Sequence, residues 1–342
     1  MVIAPERSRR SAPRRTWAPA PIAHHLGFVC ASAGLTPSDE EVVFGLCEAE
    51  MVDPVLVEPD RRVLAADERP SDWAAIADAV LRAAAEGVAG VVVLHGIETV
   101  ANAAAGLSYL LAGRLEVPVV LTAYNTPPPA IESDASTNVR GAMVAASHLD
   151  PGVYVAFAGL AGHRCNVFLG TRARYRHASG KSLVAVGRQP VARVADGSIM
   201  AEVPPRGPAD PWTAPLVAAD DRVLALHLYP GCPLDALAAV IPGVRGVVLE
   251  LYPNGACASS PPAVSVGRFV AACTDLGVPV IGVTPYGWRI DDQPASGPAF
   301  TSAGGVVVPL PMETAIAKLA VVLAQEGVDD PAALVARPWE HH

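Results

Sequence analysis

The stretch VVVLHGIETV, residues 91–100, decides how the rest of the chain is read. Three valines and a leucine run without alternation into His95-Gly96, and Ile97-Glu98-Thr99 follow. An unbroken apolar run that stops at a Gly and polar residues marks a strand buried on both faces of a parallel sheet. In open α/β sheets the ligand sits in the crevice beyond the carboxyl ends of such strands. His95 to Thr99 are therefore the first candidates for a functional site.

The flanks repeat the pattern. SDWAAIADAVLRAAAEG (71–87) has a Ser start, helical apolar spacing and a closing Gly, which predicts a helix. VANAAAGLSYLLAGRL (100–115) is a helix of small residues, and VPVVLTAYN (117–125) is a further strand. LGFVCASAG (26–34), PVLVEPD (54–60) and GVYVAFAGL (152–160) read as strands, and NVRGAMVAASHL (138–149) as a helix. Alternating strands and helices predict a parallel sheet with helices on both faces. Residues 165–200 show strand-like alternation with many charges, and RHASGK (176–181) reads as a turn. VPPRGPADPWTAPLVAAD (203–220) carries five prolines and no period, as a linker does. A second α/β unit follows in RVLALHLYPG, GVRGVVLELYPNG, VPVIGVTPYGW and the helix METAIAKLAVVLAQEG. The chain divides into a flexible Arg/Pro-rich arm (1–22), an N-terminal α/β domain (23–202), the linker (203–220) and a C-terminal α/β domain (221–338).

Composition narrows the function. The chain has 342 residues, 51% of them hydrophobic, so it can bury a large core. Net charge is −9, with no basic stripe beyond the N-terminus, which argues against nucleic acid. No apolar run reaches the ~18 residues a membrane span needs. The six cysteines form no CxxC pair and no metal-type spacing with His. They read as free thiols of a reducing cytoplasm, with no metal and no cofactor. Arg pairs ahead of LGFVCASAGL have the look of an export signal, but Pro and His24-His25 interrupt it, and the segment reads better as an arm and a first strand. The closing Glu340-His341-His342 reads as a tag remnant.

Several segments in fixed order carry a resemblance. ERPSDWAAIADAV, GVVVLHGIETV, PVVLTAYN with ESDASTNVRGAMVAA, LHLYPG, GVVLELYPNGA and PMETAIAKLAVVL follow one another over about residues 60–336. In this order the chain resembles the L-asparaginases, nearest the cytoplasmic type I group, and the related amidotransferase subunit that works on misacylated tRNA. The resemblance implies an asparaginase-like α/β fold: a larger N-terminal parallel-sheet domain and a smaller flavodoxin-like C-terminal α/β domain. It also implies a small-molecule substrate and a homodimer or homotetramer with active sites between subunits.

The family cuts a side-chain amide with a Thr nucleophile, supported by a second Thr, an Asp and a Lys. A hydroxyl is a weak nucleophile at its free pKa, so that support is required. In CASAGLTPS (30–38), aligning Gly34 with the family's second Gly puts Leu35 on the nucleophile. Thr36 lies one step on, facing the other way in an extended chain, and Ser32 two residues before Gly34. Each is a catalytic candidate or an ordinary loop hydroxyl. Cys30 is a further nucleophile candidate whose strand position favours burial. Ile97 falls on the second Thr and has no hydroxyl. Glu98 falls on the Asp with one more methylene, fit for a general base or for capping the helix that starts near Thr99. Thr99 matches a retained Thr or is a cap, and His95 matches the family's His or packs the loop. For the Lys, counting back from LVAV (183–186) gives His177, and counting forward from Phe168 gives Gly180 or Lys181. A His there could act as a base near neutral pH. Arg172, Arg174 and Arg176 lie beside them, forming either an anion site or a solvated hairpin.

On the substrate side, Ala65 and Ala66 stand where the family places donors for an α-carboxylate, with Asp67 next. Asp134 is retained, Tyr124 and Asn125 end a strand facing the site, and Asn138 reads as a helix-start cap. Ala256 replaces an Asn that in relatives reaches the partner's site. Leu35, Ile97, Ala65 and Ala66 make the pocket more apolar than one built for asparagine. Two functions follow. One is an enzyme acting on an amide or related carbonyl of a small molecule other than asparagine, with Glu98 activating water and His177 or Lys181 assisting. The other is a catalytically inactive homologue that binds a small molecule or a partner subunit.

Overall fold

The computed structural model describes residues 17–33, 36–158, 164–176, 182–187, 189–201, 216–286 and 297–338. The valines of the opening stretch explain its layering. β2 (His25–Cys30), β3 (Asp53–Val57), β4 (Val91–Leu94), β5 (Pro118–Thr122) and β6 (Gly152–Phe157) run parallel in the order β3-β2-β4-β5-β6. Every residue of β4 and β5 is buried. Val91 and Val93 face α2 (Trp73–Ala85) and α3 (Val100–Leu110), while Val92 and Leu94 face α4 (Ala135–His148) and α1 (Pro37–Ala49). A strand covered by helices on both faces needs no polar alternation.

The strand and helix order of this half agrees with the sequence reading, with two differences. Helix α1 is unread in the sequence because PSDEEVVFGLCEA buries just Asp39, Val43 and Cys47, too thin a stripe to show a period. The sheet is also mixed rather than wholly parallel. β7 (Cys165–Leu169) pairs antiparallel with β6, and β10 (Ala192–Ala195), β11 (Ser198–Ala201) and β1 (Ala18–Pro19) extend the sheet antiparallel to an edge. β10 and β11 are joined by Asp196-Gly197, both at positive φ (48° and 70°), the two-residue turn that matches the strand twist. Ala18–Pro19 lies within the segment read as an arm (1–22) and is paired in the sheet; residues 1–16 lie outside the described residues, as does 202–215 of the expected linker.

A separate ribbon, β8 (Ala173–Arg176) with β9 (Ser182–Ala185), leads towards the second unit. There β12 (Val223–His227), β13 (Gly246–Glu250), β14 (Val280–Val283) and β15 (Val306–Val307) form a parallel sheet in consecutive order. Short α5 (Leu234–Leu237), α6 (Val266–Asp275), α7 (Gly297–Ser302) and α9 (Pro331–Ala336) surround it. α8 (Met312–Leu323) packs on β13 with one side and on α3 with another, which is why nine of its twelve residues are buried. Val248 of β13 and Ile281 and Val283 of β14 thereby join one apolar core with α2 and α3. Lys318 is buried in that seam; its ammonium donates to the Arg337 carbonyl at 2.5 Å and lies 6.0 Å from the Tyr109 ring centre.

Candidate active site

The chain leaves β2 for β3 on one side and returns to β4 on the other, so beyond the paired carboxyl ends of β2 and β4 the two loops turn to opposite faces of the sheet. Such a switch point opens a crevice in an α/β sheet. Here it is a cleft of about 320 Å³. Ser32 closes it after β2, Leu64, Ala65 and Ala66 form one wall, and His95 to Glu98 come from the end of β4. Tyr124, Asn125 and Pro127 complete it after β5. The sequence candidates Ser32, His95, Ile97, Glu98, Tyr124 and Asn125 are thus brought together.

Local packing holds each wall. Thr99 does not cap α3 with its side chain; its hydroxyl donates to the Ala65 carbonyl at 2.9 Å and pins the 64–67 turn against the helix start. Gly96 permits this closeness. A Cβ there would lie 2.3 Å from Ala65 Cβ and 2.7 Å from Glu98 Oε2. Ser32, 5% exposed, follows β2 and forms a bridge with Val63, just ahead of that turn. Asp67 stands exposed beside this wall.

His95 is the buried floor. One ring nitrogen lies 2.9 Å from the Gly96 carbonyl and the other 3.0 Å from Glu68 Oε1. Both neighbours accept, so both nitrogens donate in the charged ring. Burial pulls its pKa down, but the Glu68 carboxylate, the Gly96 carbonyl and then Glu98 outweigh it, and the ring titrates above its ordinary value. Glu68 is a member of the site that sequence reasoning missed. A charge inside the loop AADERPSDW carries no period to single it out.

Asp39 is the second omission. Thr36 donates both its backbone N–H and, at 2.7 Å, its hydroxyl to this carboxylate, while Tyr124 donates its phenol to the other oxygen. The signal was available: Thr36-x-x-Asp39 has capping-box spacing. Thr36 is therefore engaged at the start of α1, and Tyr124 is the member of this chain that reaches the cleft. Burial and then the Asp39 hydrogen bond hold the Tyr124 phenol well above its usual value, so it stays protonated.

Asp134 lies behind the cleft. It accepts from the backbone N–H of Asn125 at 3.0 Å and of Thr126 at 3.0 Å, and from Asn138 Nδ2 at 3.0 Å. Asn138, fully buried, accepts in turn from Ala158 N at 2.7 Å. The two side chains shape the loop that presents Tyr124 and Asn125. Leu35, His177 and Lys181 lie outside the described residues. Of the cationic run, Arg172 donates to the Pro309 carbonyl at 2.7 Å, and Arg174 pairs with Glu250 and Glu313. These arginines join the two sheets. Cys30 lies at the end of β2 and lines a separate apolar cavity with Phe44 and Leu56. Among the described residues no group of three or more His, Cys, Asp or Glu is placed to hold a metal, and no helix is long and apolar enough to cross a membrane.

Residues 31–205 match the family model described as Asparaginase, N-terminal. The chain belongs to the asparaginase family. The matched span runs from the end of β2 to just past β11, and so contains every wall of the cleft. The L-asparaginase of Thermococcus kodakarensis is 33% identical over 189 residues, 55% of each chain. The 60 kDa lysophospholipase of Mus musculus is 29% identical over 287 residues, 79% of this chain and 49% of that protein. The chain thus spans about half the length of these curated relatives. The solved thermostable L-asparaginase from Thermococcus kodakarensis superposes with a TM-score of 0.77 at 24% identity, covering 92% of this chain and 98% of that one. The asparaginase fold therefore extends through the second sheet.

Within this asparaginase-family cleft Glu98 is distinctive. It is exposed, and among the described residues it forms no hydrogen bond or ion pair. A carboxylate so placed can take a proton from water or hold a cation.

Proposed function

We propose that the chain is an amidohydrolase-type enzyme acting on an amide, or related carbonyl, of a small molecule other than asparagine. The observation that carries this reading is the Glu98 carboxylate, without a hydrogen bond or ion pair among the described residues, at a switch-point cleft lined by Ala65, Ala66 and Ile97. The relatives' names, L-asparaginase and lysophospholipase, belong to hydrolases of acyl compounds and support the same class of chemistry. In this reading Glu98 takes a proton from water as its oxygen bonds to the carbonyl carbon. Backbone N–H groups at the strand ends steady the oxyanion. The C–N bond then breaks, and the leaving nitrogen takes a proton from Glu98 or from His177 or Lys181. Apolar walls disfavour asparagine, because a site that cannot hydrogen-bond a substrate's polar groups leaves them unpaired. The same reading has the protein act in the cytoplasm as a homodimer or homotetramer.

Ammonia release from asparagine, glutamine and larger carboxamides tests it, with Glu98→Gln in parallel. We expect turnover of larger amides above asparagine, and a loss of about 10²–10⁴-fold in Glu98→Gln. Silence of the wild-type protein on every amide would leave a binding protein.

A further inference from the structure

Of the six cysteines Cys30 alone is not buried, and it faces a hollow of its own. This cavity, about 110 Å³, lies between α1 and the carboxyl ends of β2, β3 and β4. Val43 and Leu94 are buried in its wall, while Phe44 and Leu56 flank it at 46% and 50% exposure. Large apolar side chains left half in water around a hollow mark a place that a ligand covers.

Three carboxylates surround this apolar lining. Glu40 lies three and four residues before Val43 and Phe44, on one face of α1. It is exposed and forms no hydrogen bond or ion pair among the described residues. Glu58, just after β3, shares its charge with Arg62 at 3.1 Å. Asp39 is buried and already accepts from Thr36 and Tyr124. The Cys30 thiol senses all of them: burial raises its pKa most, Arg62 lowers it, and Glu58, Glu40 and Asp39 each raise it. Tyr124 lines the cleft and Asp39 lines this cavity, so their hydrogen bond separates the two spaces.

We infer that this cavity is a second binding site, apart from the cleft, for a small organic cation: a primary ammonium on a branched alkyl group. The hydrocarbon lies among Val43, Phe44, Leu56 and Leu94. The ammonium stays at the mouth beside Glu40, where it keeps part of its water. A dry apolar cavity of ~150 Å³ holds a benzene ring, so this smaller one suits about five carbon atoms. The site stands whether or not the cleft hydrolyses amides.

Three probes of one shape test it: 3-methylbutylamine (cationic), 3-methylbutan-1-ol (neutral) and 4-methylpentanoate (anionic). Native protein is alkylated with iodoacetamide at low ionic strength, and labelling of Cys30 is followed by mass spectrometry against rising probe concentration. Wild type and Glu40→Gln are each scaled to their own rate without probe. The concentration that halves labelling reads occupancy of this cavity, so a probe held in the cleft goes unseen. We expect saturating amine to abolish most Cys30 labelling. The amine should bind about threefold or more tighter than the alcohol, as one ion pair at a half-exposed mouth supplies, with the carboxylate weakest. In Glu40→Gln the amine and the alcohol should protect equally, with the alcohol's own affinity kept. Labelling that no probe slows, equal protection by amine and alcohol in wild type, carboxylate protection as strong as the amine's, or an amine advantage that survives Glu40→Gln would overturn the inference.

Discussion

Gly96 and His95 set the floor of the cleft with no side-chain freedom between them. A methyl group on residue 96 would meet Ala65 Cβ at 2.3 Å and the Glu98 carboxylate at 2.7 Å. Gly96→Ala should therefore push the 64–67 turn outward and cost about 1–3 kcal/mol, read as a lower thermal midpoint. His95 has its pKa raised in the folded protein by Glu68, against the opposing effect of burial. The stabilisation from this pair is complete below the ordinary value of 6.5 and fades as pH rises through the raised folded value. Wild type should lose thermal stability relative to His95→Gln on going from pH 6 towards alkaline pH. A constant difference between the two would remove the charged pair from the account. His95 and Glu98 were legible as residues of the cleft because they follow a strand of unmistakable apolar character. Glu68, which sets the charge of His95, was not. It is 27 residues away in sequence, in a turn whose position depends on the Thr99 hydrogen bond.

Strands β4 and β5 and helices α2, α3 and α4 were legible because burial on both faces, or a wide apolar stripe, leaves a period in the sequence. Helix α1 carries three buried residues, one of them Asp39, and its polar face dominates. The link from Thr36 through Asp39 to Tyr124 was hidden with it. Asp134 shows the opposite limit. The residue was visible, but whether it faces ligand or backbone depends on where the loop after β5 turns. It collects the amides of Asn125 and Thr126, so Asp134→Ala should orphan them and the Asn138 side chain. We expect a loss of about 1–3 kcal/mol in chemical denaturation, with faster hydrogen exchange confined to residues 125–138. Unchanged exchange there would mean the loop holds its shape without the carboxylate.

Across the whole molecule, the ribbon β8–β9 is tied to the second sheet by charge. Arg174 meets Glu250 at the end of β13 and Glu313 at the start of α8, at 3.2 Å to the latter, and His227 adds a 2.6 Å contact to Glu250. Burial pushes Glu250 up, yet Arg174 and His227 outweigh it and hold the carboxyl below its ordinary value of 4.5. Its stabilisation is present above pH 4.5 and is lost as pH falls through the lower folded value. Wild type should therefore weaken under acid more steeply than Glu250→Gln. At neutral pH Arg174→Met should cost about 3 kcal/mol, because it leaves Glu250 buried with less compensation. Nothing local in the sequence pairs Arg174 with a carboxylate 76 residues on. The cationic run 172–181 suggested either an anion site or a surface hairpin, and two of its arginines serve instead to join the sheets.

In the proposed reading, an asparaginase-family scaffold uses Glu98, rather than a hydroxyl nucleophile, in its cleft. The most direct test compares ammonia release on the best amide for wild type, Glu98→Gln and the double variant Ser32→Ala/Thr36→Ala. That reading predicts that Glu98→Gln loses about 10²–10⁴-fold while Ser32→Ala/Thr36→Ala keeps most of its rate. An active Glu98→Gln beside a silent Ser32→Ala/Thr36→Ala would contradict it and return the nucleophile to a hydroxyl.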